Sequence, residues 1–167
     1  DGKLEVKKDG DFPQLPRFGL RLFLPKAMDT VSYYGLGPEE NYADKKRASY
    51  HGLFTAGVAE MHEDYLRPQE NGSRSDCDFV TLKGRRASLS AVSKHPFSFH
   101  ASVYTQEELT KKAHNYELKP SGHTIFCLDC RQNGIGSASC GPELLDKYRF
   151  DEEEFCFDVR LVPGRLI

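Results

Sequence analysis

The sequence predicts an all-β sandwich, and three observations carry that prediction. Apolar residues recur at every second position in several separate runs. Turns rich in glycine, proline and asparagine divide those runs. A single stretch carries helix signals, with none of the strand–helix alternation that builds a parallel sheet.

Taken in order, residues 1–14 are polar and read as a linker or the tail of a preceding strand. Phe18, Leu20, Leu22 and Leu24 then share one face of a strand that Pro25 stops. Thr30 to Tyr34 is a second strand. It enters the stretch around which the chain is organised, Tyr33 to Asp44, which packs two glycines, a proline, three carboxylates, an asparagine and three tyrosines into a short loop. Gly35 and Gly37 are free to take positive φ, and Pro38 fixes its own φ and restrains Gly37. Ala48 to Val58 reads as a strand. Asn71-Gly72 is a strong turn signal, and the strand after it places Asp76, Asp78, Val80 and Leu82 on one side, with Cys77, Phe79 and Thr81 on the other.

Leu89 to Val92 and Phe97 to Ser102 read as two further strands. In the second, His100 lies opposite Phe97, Phe99 and Ala101, as expected of a solvated or hydrogen-bonded histidine. Thr105-Gln106-Glu107-Glu108 is a capping box that opens one short helix, Gln106 to Ala113. The threonine oxygen accepts an orphan N–H while Glu108 reaches back to the cap. His123 to Cys130 is a strand with little exposed surface, Glu143 to Tyr148 one helical turn, and Phe155, Phe157, Val159 and Leu161 mark a last strand. The total is seven to nine strands and one helix.

The 167 residues suit one domain with a single core. Twenty-three basic against 25 acidic side chains leave a net charge of −2, which provides no basic patch to attract nucleic acid or an anionic membrane. No apolar run approaches the roughly 20 residues that span a bilayer. The chain opens on Asp1-Gly2-Lys3 without a signal peptide, and is expected to be a piece of something longer. Five cysteines cannot all pair within the chain. Cys127-Leu128-Asp129-Cys130 invites a zinc or redox reading, but no second ligand pair accompanies it. In a strand, moreover, positions three apart face opposite ways. Reduced thiols in a cytoplasmic protein are the expectation.

Glu39, Glu40, Asp44, Glu63, Asp64, Glu70 and Asp76 are carboxylates near turns. A glycosidase needs two carboxyls about 5–9.5 Å apart, a distance no sequence supplies. His62-Glu63 does not continue into the H-E-x-x-H of zinc proteases, and no G-x-S-x-G nucleophile elbow occurs. From residue types alone the polar loops suit either a sugar, hydrogen-bonded and stacked on aromatic rings, or a protein interface.

Several segments together resemble one family. Leu15-Pro16-Arg17-Phe18-Gly19-Leu20 is similar to an L-P-R-x-G-L strand. Tyr34 to Asp44, with Gly37, Pro38, Glu40 and Asn41, is similar to G-x-G-P-x-E-N-Y-x-D. Tyr65, Pro68, Glu70, Asn71, Gly72 and Arg74 follow Y-x-x-P-x-E-N-G-x-R. Phe97 to Ser102 with Tyr104 follows F-x-F-x-x-S-x-Y, His114, Tyr116 and Leu118 come next, and Gly134-Ile135-Gly136 with Pro142 closes the series. Collinear from about residue 15 to 162, these resemble the C-terminal, small-chain domain of β-galactosidases of glycoside hydrolase family 2.

That resemblance implies a β-sandwich, or supersandwich, of galactose-mutarotase-like type, here only in part, with residues 15–167 forming the domain. It implies no catalytic residue and no metal ligand in this chain, and a fragment inactive alone. The catalytic glutamates lie in a separate (β/α)₈ barrel, with Mg and Na bound mainly by other domains of the enzyme. It further implies that the domain closes over the barrel, shapes the subsite for the leaving sugar of a galactoside such as lactose, and joins in an oligomer. Gly37, Pro38, Glu40, Asn41, Glu70, Asn71 and Arg74 would shape the loops. Many members carry G-G-D-D-S-W where this chain has Gly136-Ser137-Ala138-Ser139-Cys140-Gly141. Ser139 and Cys140 would therefore line the sugar site, with a thiol in the place of the stacking indole. The alternative is a stand-alone carbohydrate-binding or mutarotase-like module.

Overall fold

The computed structural model describes residues 2–7, 14–135 and 143–165. Among these residues it is an all-β sandwich of eight antiparallel strands with one short α-helix. The strands are β1 (Gly2–Lys7), β2 (Arg17–Pro25), β3 (Thr30–Gly37), β4 (Tyr50–Gly57), β5 (Arg74–Lys83), β6 (Ala87–Ser102), β7 (His123–Gln132) and β8 (Glu154–Arg165), and the helix α1 is Gln106–Lys111. The opening stretch thus contains a strand, β1, paired along its length with β8.

β6 organises the sheet. One of its edges follows β5; the other pairs first with β8 over Ala87–Val92 and then with β7 over Ser98–Ser102. From it the sheet forks into a β7–β2 branch and a β8–β1 branch, with β5–β3–β4 on the far side. The two strands read from residues 89–92 and 97–102 are therefore one. The apparent break is a bulge: Val92 faces Phe79 and Phe97 faces Cys77, leaving Ser93 to Pro96 outside the ladder, where Pro96 has no N–H to give.

The inward faces of β3, β5, β6, β7 and β8 meet in one core, where Val31, Tyr33, Val80, Phe99, Phe126 and Leu128 are essentially inaccessible. Tyr33 packs edge-on against Phe99, with ring centroids 5.0 Å apart. The face assignment for β5 needs correction. Asp76 takes the left-handed region at φ 52°, and the register shifts on both sides of Cys77. That irregularity turns Cys77 into the core beside Val80 and Leu82, while Asp78 points to solvent.

His100 also differs from expectation. It is not solvated but 1 % exposed, with its ring beside Gly72 of the segment that enters β5. The helix ends at Lys111, two residues before the predicted end. Thr105 caps it, accepting from the Glu108 N–H at 3.1 Å, but the Glu108 carboxylate turns to the Lys119 N–H at 2.9 Å rather than back to the cap.

Candidate functional site

Two polar loops lie against each other: residues 38–45, which leave β3, and residues 62–73, which enter β5. The first begins with the cis peptide Gly37-Pro38. Neither Gly35 nor Gly37 uses the positive φ open to it. Their missing side chains provide space instead. A Cβ on Gly35 would stand 2.5 Å from Cys77 Sγ and 2.9 Å from its Cα, and one on Gly37 would overlap the Tyr33 hydroxyl and stand 2.9 Å from the Phe54 ring. Positive φ is needed at Gly72, at 75°, the second residue of the Asn-Gly turn.

Asn41 is fully buried and uses its whole hydrogen-bonding capacity. Nδ2 donates to the carbonyls of Leu36 and Glu39, both at 3.0 Å, while Oδ1 accepts from the Ser75 N–H at 2.8 Å and the Ser75 hydroxyl at 2.6 Å. Its backbone N–H donates to Ser73 O at 2.8 Å. One amide thereby fixes the loop to the start of β5. Glu40, 5 % exposed, accepts from Lys45 Nζ, from the Tyr65 hydroxyl and, at 2.7 Å, from the Gly72 N–H. Burial opposes its charge, but the three donors outweigh burial and hold its carboxyl below the ordinary value. The same pairing pushes Lys45 up to about 12 against burial.

Asn71 braces the second loop, donating to Gln69 O at 2.9 Å and accepting from the Glu63 N–H at 3.1 Å. Arg74, nearly buried, donates to the carbonyls of Gly72 and Ser73. Glu70 meets Arg17 Nη1 at 3.1 Å, and the same guanidinium grips Asp129 of β7 in a bidentate pair. Burial works against the charge on Arg17, yet the Asp129 bonds outweigh it and its pKa is raised. Burial also lifts the Glu70 carboxyl, against the pull of Arg17.

The seven predicted loop-shaping residues thus come together. Ser139 and Cys140 lie outside the described residues, but both sides of their segment are anchored here. Asn133 N donates to Pro16 O at 3.0 Å, Gly134 N to Tyr148 O at 3.2 Å and Ile135 N to Asp44 Oδ1 at 3.1 Å, while Phe150 N donates to Asn133 Oδ1 at 2.6 Å. Beside this hub lies a cleft of about 240 Å³ lined in part by Tyr42, Lys46, Asp76, Phe97, Arg131 and Gln132.

Reading by residue type missed Arg17 and Asp129 as partners. The available signal was Asp129 itself, a charge within a strand read as buried, which calls for a counter-charge. It also missed His100, whose Nδ1 has no partner among the described residues.

Chemically, the hub clamps loops together. Both oxygens of Glu40 are engaged by internal donors, so it is not a free acid or base. Among the described residues no group of three or more His, Cys, Asp or Glu side chains is arranged to hold a metal ion, and Cys77, Cys127, Cys130 and Cys156 are unpaired. No described helix is long and apolar enough to cross a membrane.

Comparison with known proteins defines the class. The family model "Beta galactosidase small chain" matches residues 1–161. The chain is 46 % identical over its whole length to a β-galactosidase of Actinobacillus pleuropneumoniae, covering 17 % of that protein. It is 40 % identical over 95 % of its length to one of Staphylococcus xylosus, of which it covers 16 %, and 31 % identical over 93 % of its length to one of Kluyveromyces lactis, of which it covers 15 %. The chain belongs to the β-galactosidase small-chain family. It spans about a sixth of the length of these relatives.

Two predictions follow from the hub. Asn41→Ala leaves the Ser75 N–H and two carbonyls without partners, and should cost about 3 kcal/mol in urea unfolding. Asn41→Asp should not restore it, because a carboxylate oxygen would then face the Leu36 and Glu39 carbonyls. The second concerns acid. Burial holds His100 at about 3, below the ordinary value near 6.5. The unfolded chain therefore binds the extra proton first, and stability is lost as pH falls from 6.5 towards 3. Glu40 acts in the same sense at lower pH, while raised Glu70 and Asp129 act oppositely. Comparing His100→Gln with the parent chain isolates the histidine: between pH 6.5 and 5 the variant should lose less stability, by up to about 1.4 kcal/mol per pH unit.

Proposed function

We propose that this chain is the non-catalytic C-terminal domain of a β-galactosidase that hydrolyses terminal β-D-galactosides such as lactose. In this reading it closes over the mouth of a (β/α)₈ barrel that holds the acid/base and the nucleophile, and it shapes the subsite of the leaving sugar. The observation that carries the reading is the anchoring of Asn133 to Pro16 and of Ile135 to Asp44, with Tyr148 and Phe150 bonded in turn to Gly134 and Asn133, at the base of the segment that contains Ser139 and Cys140. A hub rigid enough to hold both sides of that segment is what a subsite contributed to another domain requires.

Ser139 and Cys140 line the subsite in this account, and the thiol removes the ring face on which an acceptor sugar stacks. The fold is of galactose-mutarotase-like type, completed by strands elsewhere in the enzyme. Mg and Na are bound mainly by the other domains, the subunits form an oligomer, and the enzyme works in the cytoplasm. The unpaired cysteines support the last point.

The test is Cys140→Trp in the full-length enzyme. Restoring a ring should change the ratio of transglycosylation to hydrolysis without altering bond-cleavage chemistry, measured as kcat on a chromogenic galactoside. Unchanged product ratios would remove Cys140 from the subsite.

A further inference from the structure

The Cys127-Leu128-Asp129-Cys130 run divides across β7, as strand alternation requires. Cys127 is 3 % exposed and its Sγ accepts from Gln106 Nε2 of α1 at 3.3 Å, whereas Cys130 packs at the margin of the core. Cys127 and the fully buried Cys77 are inert: burial raises both thiols, that of Cys127 to about 12, and keeps them from any reagent.

Cys130 and Cys156 are placed differently. Cys130 is the bulged residue of β7: Phe18 faces Arg131 and Gly19 faces Asp129, so no β2 residue opposes it, and the ladder with β6 ends at Asp129. A bulge re-aims its side chain, and here Cys130 Sγ comes to 3.6 Å from the carbonyl oxygen of Cys156 in β8. Cys156 is exposed, and its strand is held there on one side only. Glu5 of β1 faces it, while β6 joins β8 only from Arg160 onward. The two cysteines therefore meet in the fork, where no ladder among the described strands joins β7 to β8. A disulfide needs Cβ atoms about 3.5–4.5 Å apart. Sγ already touches the Cys156 main chain, in a gap that neither ladder fixes, so side-chain rotation and a small strand shift are what closure requires.

We propose that Cys130 and Cys156 are a reversible oxidation site, closing to a disulfide in the presence of glutathione disulfide and stapling the two branches of the fork. Cys156, the exposed thiol, loses its proton to solvent and attacks one sulfur of glutathione disulfide, which breaks that S–S bond and releases one glutathione thiolate. Cys130, deprotonated in turn, attacks Cys156 Sγ and releases the second. Two cysteines are oxidised and one glutathione disulfide is reduced to two glutathiones. Burial and then the neighbouring Cys156 raise the Cys130 thiol, and capping Cys156 with glutathione removes the second of these, so Cys130 resolves rather than attacks. In a reducing compartment the thiols are the resting state. The bond would close a loop of residues 131–155, which contains the segment 136–142.

The full-length enzyme, held in an excess of reduced or of oxidised glutathione, tests this. Remaining thiols are trapped with N-ethylmaleimide and unreduced tryptic peptides are mapped by mass spectrometry. In oxidised glutathione the Cys156 peptide should be found mainly linked to the peptide carrying Cys127 and Cys130, and dithiothreitol should abolish the link. Cys130→Ser assigns it, and should leave Cys156 unlinked and carrying one glutathione. A link that survives Cys130→Ser, a link from Cys156 to Cys140, or a Cys156 in the parent enzyme that stays unmodified or stops at glutathione would each overturn the proposal.

Discussion

The architecture at the polar end of this domain depends on one buried amide. Asn41 sits where no water reaches it and satisfies four partners, two carbonyls of its own loop and both donors of Ser75. A buried amide is tolerated only when such partners are complete. Asn41 therefore specifies a single arrangement of the loop after β3 against the start of β5. Glu40, one residue earlier, extends that arrangement to Lys45, Tyr65 and Gly72. Arg17 ties the neighbouring Glu70 to Asp129 on β7. The two loops are held by internal polar bonds as well as by the buried Tyr42 ring, so their positions are sharply set.

This arrangement engages the carboxylates of the hub as structural partners. Catalytic carboxyls need access to a substrate and at least one oxygen free to exchange a proton. Glu40 has neither, and Glu70 shares its accessible oxygen with Arg17. What the hub supplies is position. Asp44 and Pro16, at its margin, hold the residues that lead into the segment 136–142. The same scaffolding role is consistent with a chain that makes up a sixth of its relatives and belongs to their small-chain segment.

Much of the fold was legible because it is written locally. Alternation along residues 17–25 and 123–132, the Asn71-Gly72 turn and the Thr105 cap all place their elements within a residue or two. What was not legible depends on distant partners. Arg17 and Asp129 are 112 residues apart, and only the β2–β7 pairing brings them together. The fork at β6 follows from its successive pairing with β8 and β7, and the turning of Cys77 into the core from the register of β5 with β6, neither of which any periodicity encodes. His100 reads as an outward residue because strand alternation cannot foresee a second layer of loop lying on that face. At the site, residue types identified which loops are special, whereas the role of each glycine emerged only from the atoms crowding it.

The central claim is that this domain completes an active site whose reacting groups lie elsewhere. Its most direct test measures hydrolysis of a chromogenic β-galactoside by three samples: the 167-residue chain, the enzyme truncated to remove it, and the two mixed. The account predicts no turnover by the chain, little by the truncated enzyme, and activity recovered in the mixture or in the intact enzyme. Turnover by the chain alone would contradict it and return Glu40 and Glu70 to consideration as reacting groups. Full activity in the truncated enzyme would contradict it equally, by showing that the barrel needs nothing from this domain.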